Sequence, residues 1–489
     1  MNYYIGADLG TSSLKLSLVN VKGEIVNSVS KSYDLFYPQV GWSEQNPRDW
    51  WLAFVEGIRE LVADIDASSV CSLGIAGQMH GLVILDENDN VIRNAILWND
   101  GRTDKETAYL NTVKELADYT ANMAFAGFTA PKILWLKENE PDNFNKISKI
   151  MLPKDYINYL LTGVHCTDYS DASGMLLLDV KNKCWSKEML QICGITEQQM
   201  PHLFDSYDVI GTIKADIAAL LGLPDSVKVV AGAGDNAGAA VGSATVSDGK
   251  CNISLGTSGT VFISSEKFPE LTNKAIHTFC HADGGWHIMG CILSAAVCNK
   301  WFCTDILGTD DYSAEQIGIS DDMLGNNNVY FLPYLMGERS PINNTDARGT
   351  FIGMSLDTKR ESMVQAVLEG VAFAIRDNIE IVKNAGISIE KSGFCGGGAK
   401  SALWRKILAN VLNITLEIPV TEEGPSFGGA LLAMVGNGDF ESVKDCAESF
   451  AKTACVVTPD AEIAARYEQQ YNKFKNIYPA VKDVFGLIK

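Results

Sequence analysis

The tetrapeptide Leu-Gly-Thr-Ser occurs twice in this chain, at residues 9–12 and again at residues 255–258. Each copy lies between two apolar segments, so each predicts a hairpin with Gly, Thr and Ser in its turn. Strand and helix patterns alternate after both hairpins. We therefore expect two α/β domains of similar topology, each a mixed sheet flanked by helices. At 489 residues the chain is long enough for two domains, and we place them at residues 1–245 and 246–489.

The composition excludes several classes of partner. The chain carries 40 basic and 60 acidic residues, a net charge of −20, whereas nucleic acids and anionic membranes bind basic surfaces. We find no secretory signal at the start and no apolar run that could span a membrane. The 12 cysteines are scattered without a C-x-x-C pair, which indicates reduced thiols. We expect a cytoplasmic protein without nucleic-acid or membrane partners; its oligomeric state stays open, with a homodimer as one option.

Two short patterns predict where helices begin. Asn46 followed by Pro47 suits an N-cap and the first position of a helix. Thr103 and Glu106 have the spacing of a capping box, in which each side chain binds the backbone amide of the other residue. Both patterns come directly before segments with helical periodicity, so we expect helices to start there.

The two Gly-Thr-Ser turns are candidates for phosphate binding. Such turns expose backbone N–H groups and hydroxyls with little obstruction, as phosphate-binding nests do. A plain β-turn explains either copy alone, but two matching turns at one cleft could hold a single polyphosphate. Asp8 precedes the first copy, whereas Ser254 precedes the second. A carboxylate beside a polyphosphate requires a divalent cation between them, so we expect Mg²⁺ at Asp8.

The segment "GAGDNAG" allows two interpretations. The spacing of Gly232, Gly234 and Gly238 is close to the dinucleotide fingerprint of NAD-dependent dehydrogenases. Asp235 argues against that interpretation, because its charge would repel a pyrophosphate at the start of the helix. An aspartate after a buried strand can instead accept a proton from a substrate hydroxyl, as the base in phosphoryl transfer does. From this motif alone, a helix N-cap explains Asp235 equally well.

Other segments supply candidate ligand contacts. In "GQMHG", Gln78, Met79 and His80 can line a cleft and bind a polyol, although a lone histidine is more often buried and satisfied. In "LWNDGR", Asn99 and Asp100 can act similarly. The glycines of "GGGAK" would let an adenine lie against the backbone. The segment "HTFCHADGGWH" lacks a second ligand pair at zinc-site spacing, so we assign it to the core or to the lining of a site.

Taken in order, these motifs resemble the FGGY family of carbohydrate kinases. The matching segments run from residue 3 to about residue 435. They are "GADLGTSSLK", "GIAGQMHG", "AILWNDGR", "GFTAPKILW", "LPKDY", "GAGDNAG", "SLGTSGT", "FLPYLMGERSP" and "GGGAKS". The resemblance implies two ribonuclease H-like domains of the actin and hexokinase type, with the active site in the cleft between them. It also implies ATP and Mg²⁺ as cofactors.

The resemblance implies a role for individual residues. Asp235 corresponds to the catalytic base, and Asp8 corresponds to the carboxylate associated with Mg²⁺, with Asp235 as a second candidate ligand. Met79 and His80 correspond to the sugar-binding pair, and Asn236 lies beside the sugar. The ATP-binding positions are Gly10, Thr11, Ser12, Ser13, Lys15, Gly256, Thr257, Ser258, Gly259, Gly397, Gly398 and Ala399.

The reaction that the resemblance implies is transfer of the γ-phosphoryl group of Mg·ATP to the C5 hydroxyl of D-xylulose. Another ketose, a polyol or a sugar acid (ribulose, glycerol or gluconate) stays open as the acceptor. A sugar-binding protein without catalysis is a further alternative, but it would have no reason to retain both Asp8 and Asp235. Because a kinase must exclude water, we expect the two halves to close on a hinge. Ala402 stands where many relatives carry a polar residue near the adenosine.

Overall fold

The computed structural model describes residues 2–420 and 424–488. Within these residues, two seven-stranded mixed sheets form the centres of the molecule, and helices cover them. One sheet uses strands from the first half of the sequence and the other uses strands from the second half. The predicted two-domain α/β architecture is therefore confirmed.

The first sheet contains the first Gly-Thr-Ser hairpin. Its strands are, in spatial order, Val209–Thr212, Lys228–Val230, Val70–Gly77, Tyr3–Leu9, Ser13–Asn20 and Ile25–Ser32, and Ala233–Gly234 also pairs with Val70–Gly77. The hairpin register places Asp8 opposite Lys15. The strand Val70–Gly77 runs parallel to Tyr3–Leu9, so both strands end at the same edge of the sheet.

The second sheet repeats this connectivity. Its strands are, in spatial order, His277–Cys280, Trp286–Ile292, Gly259–Ser265, Cys251–Leu255, Lys391–Cys395, Thr415–Pro419 and Thr453–Val457. As in the first sheet, an antiparallel hairpin is extended by an antiparallel strand on one side and by two parallel strands on the other. The repeated tetrapeptide therefore marks equivalent turns in two domains of one topology.

Helices and short two- to three-residue strands fill the remaining chain. The helices are Pro47–Leu61, Asp104–Leu110, Lys114–Thr120, Thr129–Asn139, Pro141–Phe144, Pro153–Thr162, Tyr169–Ser173, Lys187–Cys193, Ala215–Leu221, Asp235–Gly242, Ala296–Trp301, Tyr312–Gln316, Arg360–Asn384, Ala402–Leu412, Pro425–Asn437, Val443–Phe450, Ala461–Phe474 and Ile477–Phe485. Across the described part of the chain, no helix combines the length and the apolar character needed to cross a membrane.

Both predicted helix starts are confirmed, but only one uses the predicted cap. The helix Pro47–Leu61 begins after Asn46, whose side chain accepts a hydrogen bond from the backbone amide of Arg48 in the first turn. The helix Asp104–Leu110 begins after Thr103, yet that side chain makes no cap hydrogen bond. The Thr103 hydroxyl instead donates to the carbonyl oxygen of Ala126 at 2.7 Å. The predicted capping box is therefore wrong, because a tertiary contact takes the hydroxyl.

The helix Pro425–Asn437 comes from the second half of the sequence but packs on the first sheet. A Cβ atom at Gly6 would lie 1.8 Å from the carbonyl oxygen of Ser426, and one at Gly428 would lie 1.8 Å from the carbonyl oxygen of Gly238. Only glycine allows backbones to approach so closely. The core of this face therefore combines both ends of the chain.

The helix Asp235–Gly242 connects the two sheets. Its Ala237 and Val241 are buried in the core formed with Pro425–Asn437, whereas Ala240 packs against Phe262 and Met289 of the second sheet. The small residues of this helix allow contact on both sides. The helix that begins at Asp235 therefore lies at the boundary between the two domains.

Candidate active site

Three parallel strands of the first sheet end side by side and define the site. These strands are Tyr3–Leu9, Val70–Gly77 and Ala233–Gly234. Asp8 lies at the end of the first strand, residues 78–80 follow the second, and Asp235 follows the third. The amide of Gln78 donates to the carbonyl oxygen of Leu9 at 2.8 Å, which extends the pairing beyond the strands. The carboxyl ends of parallel strands meet at one edge, and ligand sites of α/β proteins commonly lie there.

Asp235 and Asp8 are half-buried carboxylates with raised pKa values. Burial raises the pKa of Asp235 to about 7, and the negative charge of Asp8 adds to this effect. The backbone amide of Asn236 opposes it by donating to Asp235 Oδ1 at 2.7 Å. Burial also raises the pKa of Asp8 to about 6, against the opposing charge of Lys15. A carboxylate with a pKa near neutrality in a cleft is suited to accept a proton.

His80 is held in an unusual backbone conformation. Its φ of 67° lies in the left-handed region, which is uncommon outside glycine. Its carbonyl oxygen accepts hydrogen bonds from Lys132 Nζ at 2.7 Å and from Thr129 Oγ1 at 3.1 Å. Its ring Nδ1 is 2.9 Å from the carbonyl oxygen of Gly174. These contacts fix both the backbone and the ring of His80.

The hydrogen bond to Gly174 determines the tautomer of His80. A carbonyl oxygen only accepts, so Nδ1 carries the hydrogen and the neutral ring presents Nε2 as an acceptor. Burial lowers the pKa of His80 well below its usual value, and the charge of Lys132 acts in the same direction. His80 therefore offers a hydrogen-bond acceptor that stays neutral.

Met79 and Asn236 complete this part of the site. The amide nitrogen Nδ2 of Asn236 lies 3.8 Å from Met79 Sδ and 3.0 Å from Asp235 Oδ1. Gly234 makes room for Met79, because a Cβ atom there would lie 3.0 Å from the sulfur. The structure thus brings together Asp235, Asn236, Met79 and the segment leading to His80.

Gln78 is buried behind the first Gly-Thr-Ser turn. Its side-chain amide donates to Gln45 Oε1 at 3.0 Å. The Gln45 amide in turn donates to the carbonyl oxygen of Thr11 at 2.7 Å. Trp98 contacts the same turn, because its ring N–H donates to Thr11 Oγ1 at 2.8 Å. Gln78 is therefore connected to the turn through Gln45 and supports its position.

Asp100 is bonded within its own loop. It is 2 % exposed, and its carboxylate accepts hydrogen bonds from Arg102 at 2.7 and 2.8 Å and from the Ser43 amide at 2.6 Å. The Arg102 guanidinium also stacks on the ring of Trp42 at 3.7 Å. Because both oxygens are occupied, Asp100 fixes this loop. The neighbouring Asn99 is exposed.

Both Gly-Thr-Ser turns are closed by a backbone hydrogen bond, but they differ in length: the first hairpin leaves residues 10–13 between its last paired residues, and the second leaves residues 256–258. Gly10 N donates to the carbonyl oxygen of Ser13 at 3.1 Å, and Gly256 N donates to that of Ser258 at 3.0 Å. Neighbouring groups hold the turn carbonyls, among them the Tyr33 hydroxyl on Gly10. The hydroxyl-bearing residues Ser12, Thr257 and Ser258 are exposed, whereas Gly259 is buried. Exposed hydroxyls on fixed turns suit phosphate binding.

The "GGGAK" loop lies directly beside the second turn. Gly396 has a φ of 85°, and Gly397, Gly398 and Ala399 form a short 3₁₀ turn. A Cβ atom at Gly398 would lie 2.8 Å from Leu255 Cβ, at the end of the strand that leads into the second turn. Ala402 is exposed at the start of the next helix. The predicted ATP-binding residues of the second half are therefore adjacent.

Lys132 is a residue that the sequence analysis missed. Its side chain is completely buried, and it donates to the carbonyl oxygens of His80 and Gly127, both at 2.7 Å. Burial lowers the pKa of Lys132 well below its usual value. The available signal was the single lysine in the apolar run "TAPKILWL", because lysine is rarely buried without a specific partner.

The histidines of "HTFCHADGGWH" lie in packed surroundings. His277 is buried and stacks on Phe279 with ring centroids 5.3 Å apart. Phe128 packs between the His80 ring, at 4.3 Å, and the His277 ring, at 5.4 Å. Among the described residues, no group of three or more His, Cys, Asp or Glu side chains could hold a metal ion. His277 therefore lies close to His80, with Phe128 packed between the two rings.

Replacing His277 by phenylalanine should make stability less sensitive to acid. Burial lowers the pKa of His277 to about 3, and the charge of Arg339 acts in the same direction. An unfolded histidine takes up its proton near pH 6.5, so between about pH 6.5 and 3 the unfolded state binds more protons and stability falls as the pH falls. The group accounts for at most about 1.4 kcal/mol per pH unit.

Urea unfolding of the native protein and His277→Phe at several pH values below 6.5 measures this slope. The variant should show the flatter dependence, and His202→Gln, at an exposed position, should leave it unchanged. Equal slopes for the native protein and His277→Phe would contradict the prediction.

Comparisons with known proteins identify the family of this chain. The FGGY family of carbohydrate kinases, N-terminal domain, matches residues 3–242, and its C-terminal domain matches residues 251–436. A protein named xylulose kinase from Bacillus subtilis is 38% identical over 100% of this chain and 99% of its own length.

Two crystal structures show the same fold over almost the whole chain. A xyloylose kinase from Brucella ovis has a TM-score of 0.94 at 38% identity, covering 99% of this chain and 100% of its own. A gluconate kinase from Lactobacillus acidophilus has a TM-score of 0.93 at 27% identity, covering 100% of both chains. The domain matches cover both halves of the sequence, and each half contains one of the two equivalent turns. The chain belongs to the FGGY family of carbohydrate kinases.

Proposed function

We propose that this protein transfers the γ-phosphoryl group of ATP to the C5 hydroxyl of D-xylulose. The observation that carries the proposal is the position of Asp235, a half-buried carboxylate with a pKa raised to about 7, beside Asp8 and Asn236. The full-length similarity to a protein named xylulose kinase, at 38% identity, supports D-xylulose as the acceptor. The gluconate kinase shares the fold at a lower identity of 27%.

Asp235 acts as the general base in this mechanism. Its carboxylate accepts the proton of the C5 hydroxyl while the sugar oxygen forms a bond to the γ-phosphorus. The bond from that phosphorus to the bridging oxygen breaks, and ADP leaves. Asp235 then releases the proton to solvent. Closure of the two halves over the sugar, which would exclude water, remains a prediction.

The sugar is oriented by the residues around Asp235. The neutral His80 ring accepts a hydrogen bond from a sugar hydroxyl through Nε2, because Nδ1 is held by Gly174. Asn236 donates its side-chain amide beside the base, and Met79 supplies an apolar wall. The turns at residues 10–13 and 256–259 bind the phosphates, and Gly397 to Ala399 contact the adenosine.

The carboxylates of Asp8 and Asp235 fit a magnesium ion. Burial raises the pKa of both carboxylates; the charge of Asp8 raises the pKa of Asp235 further, and the cation Lys15 lowers the pKa of Asp8. Carboxylate oxygens are suitable ligands for Mg²⁺, which proteins commonly hold with one or two carboxylates together with substrate phosphates. Asp8 would hold the ion with Asp235 as a second candidate, and bound Mg²⁺ would neutralise charge on the phosphates.

A substrate screen of the purified protein tests the proposal. ADP release is measured with ATP, Mg²⁺ and, separately, D-xylulose, D-ribulose, glycerol or gluconate. We expect the highest kcat/KM with D-xylulose and a product phosphorylated at C5, identified by phosphorus NMR. A higher value with another acceptor would assign the protein to a different kinase specificity. Sugar binding without ADP release would identify a sugar-binding protein without catalysis.

A further inference from the structure

A fully buried charge cluster lies behind the catalytic residue. It consists of Lys154 and three carboxylates, and we call it the Lys154 cluster. Lys154 Nζ lies 2.6 Å from Asp155 Oδ1, 3.0 Å from Asp168 Oδ1 and 3.6 Å from Asp171 Oδ2. The side chains of all four residues have no exposed area. Burying charges is unfavourable unless they are paired and hydrogen-bonded, so such a cluster requires an explanation.

We propose that the Lys154 cluster, acting through Asp168 and Ser170, positions Asp235 for proton transfer. The inference rests on the proposed role of Asp235 as the base. Ser170 is a positioning residue. It does not contact the substrate, and it acts on Asp235 through the backbone amide of Gly234.

A directed chain of hydrogen bonds connects the cluster to the base. Ser170 Oγ donates to Asp168 Oδ2 at 2.5 Å. Since that hydrogen is used, the lone pairs of Ser170 Oγ are left to accept, and Gly234 N donates to them at 3.1 Å. Gly234 immediately precedes Asp235. Lys154 polarises Asp168 from the other side, and linked hydrogen bonds in a dry interior strengthen one another.

The same carboxylate also fixes the segment before Gly234. Ser206 Oγ donates to Asp168 Oδ2 at 2.7 Å, and the Ser206 carbonyl oxygen accepts from Gly232 N at 2.9 Å. Gly232 has a φ of 77°. Glycine adopts positive and negative φ about equally readily, so its own preference does not select this conformation. The path of the chain into Asp235 is therefore set by these long-range hydrogen bonds and not by local conformation.

The cluster reaches the sugar side as well. Ser170 lies in the helix Tyr169–Ser173, and the next residue, Gly174, supplies the carbonyl oxygen bonded to the His80 ring. Lys154 itself packs on the strand that leads to His80, because a Cβ atom at Gly77 would lie 2.9 Å from Lys154 Cβ. One rigid element thus contacts both the base segment and the sugar loop. Fixing the distance between these two groups is what a near-attack geometry requires.

Two serines in one helix give a matched experiment. Ser170 and Ser173 are both fully buried, and each hydroxyl donates one hydrogen bond and accepts one. Ser173 Oγ donates to the carbonyl oxygen of Tyr169 at 2.7 Å and accepts from the amide of Cys280 at 2.9 Å. Alanine at either position removes the same number of bonds, but only Ser170→Ala releases the base segment.

We expect Ser170→Ala to lower kcat about 10- to 100-fold with KM for the sugar within about twofold, since small misplacement of a catalytic group has effects of this size. Ser173→Ala should keep kcat within about twofold. Its thermal unfolding midpoint should fall by about as much as that of Ser170→Ala, because both variants lose the same number of buried hydrogen bonds. Ser170→Thr, which restores a hydroxyl, should recover most of kcat. Equal kcat values for the two alanine variants, or a loss at Ser170 that appears in KM alone, would overturn the proposal.

Two further variants keep the experiment decisive. If Ser170→Ala does not fold, Ser206→Ala loosens the same Asp168 oxygen from the other side and should lower kcat about 3- to 10-fold, again with little change in KM. Unchanged kcat in Ser206→Ala would then count against the proposal. Asp235→Asn, measured in parallel, separates the two hypotheses. Near-native turnover of Asp235→Asn would refute the base assignment, whereas a large loss there with native kcat in Ser170→Ala would refute only the positioning role.

Discussion

Replacing Asp235 by asparagine should lower kcat at least about 100-fold, because general-base catalysis typically contributes a factor of this size or more. Asparagine has nearly the same shape but cannot accept the proton of the sugar hydroxyl at neutral pH. Sugar binding should survive, since Asn236, Met79 and the His80 ring are unchanged. Turnover is measured as ADP release, and sugar binding is measured by titration calorimetry.

The pH dependence of the native protein provides a second readout of the same change. Asp235 has a pKa of about 7, and only its deprotonated form can accept a proton. The ratio kcat/KM should therefore fall below about pH 7, approaching a tenfold loss per pH unit, and this limb should be absent in Asp235→Asn.

Asp377→Asn is the matched control for this substitution. Burial raises the pKa of Asp377 to about 7 as well, but this carboxylate bonds the Tyr471 hydroxyl at 2.7 Å in the helix Arg360–Asn384, away from the strand ends that define the site. It should retain native turnover. Near-native turnover of Asp235→Asn, or equal losses in both variants, would contradict the base assignment.

Replacing Lys154 by methionine should destabilise the protein by about 3–5 kcal/mol, the range found when one partner of a buried ion pair is removed. Burial opposes the charge of Lys154, but Asp155, Asp168 and Asp171 outweigh this and hold its pKa well above the usual value. Without the ammonium group, these carboxylates remain buried with no cation to pair with. The free energy of unfolding in urea measures the loss.

Lys181→Met is the surface control for this prediction. Lys181 pairs with Glu270 at 2.8 Å, but both side chains are largely exposed, so the expected change is within about 1 kcal/mol. Adding Asp168→Asn to Lys154→Met should recover part of the stability, because it removes one of the unpaired charges. A loss below about 1 kcal/mol in Lys154→Met would show that the cluster is not held by its ammonium group.

Motifs with local backbone requirements could be predicted from the sequence. Gly-Thr-Ser between two apolar segments forms a hairpin turn in both sheets, and the "GGGAK" glycines form the loop beside the second turn. The start of the helix Pro47–Leu61 was predicted with its cap. In each case the determining preference is contained within a few neighbouring residues, because φ, ψ and short-range hydrogen bonds set it.

The uses of polar side chains in glycine-rich loops could not be predicted in this way. Ligand binding by Gln78 and Asp100 stays a prediction, and the structure shows a second use for each: Gln78 donates to Gln45, and Asp100 accepts from Arg102. The same residue types at the same kind of position would serve a sugar equally well. The partners Gln45 of Gln78 and Ser43 of Asp100 lie on other segments, and the sequence of each loop carries no information about them.

The sequence by itself determined the two hairpins, the glycine loops and the family to which they belong. Only the tertiary structure decided the electrostatic surroundings of Asp235, the proposed base. Asp235 acquires its raised pKa from burial and from Asp8, which comes from a separate strand, and Ser170, 64 residues from Gly234 in sequence, fixes its approach. The physical reason is that turn conformation depends on neighbouring residues, whereas burial and charge depend on what packs nearby in space.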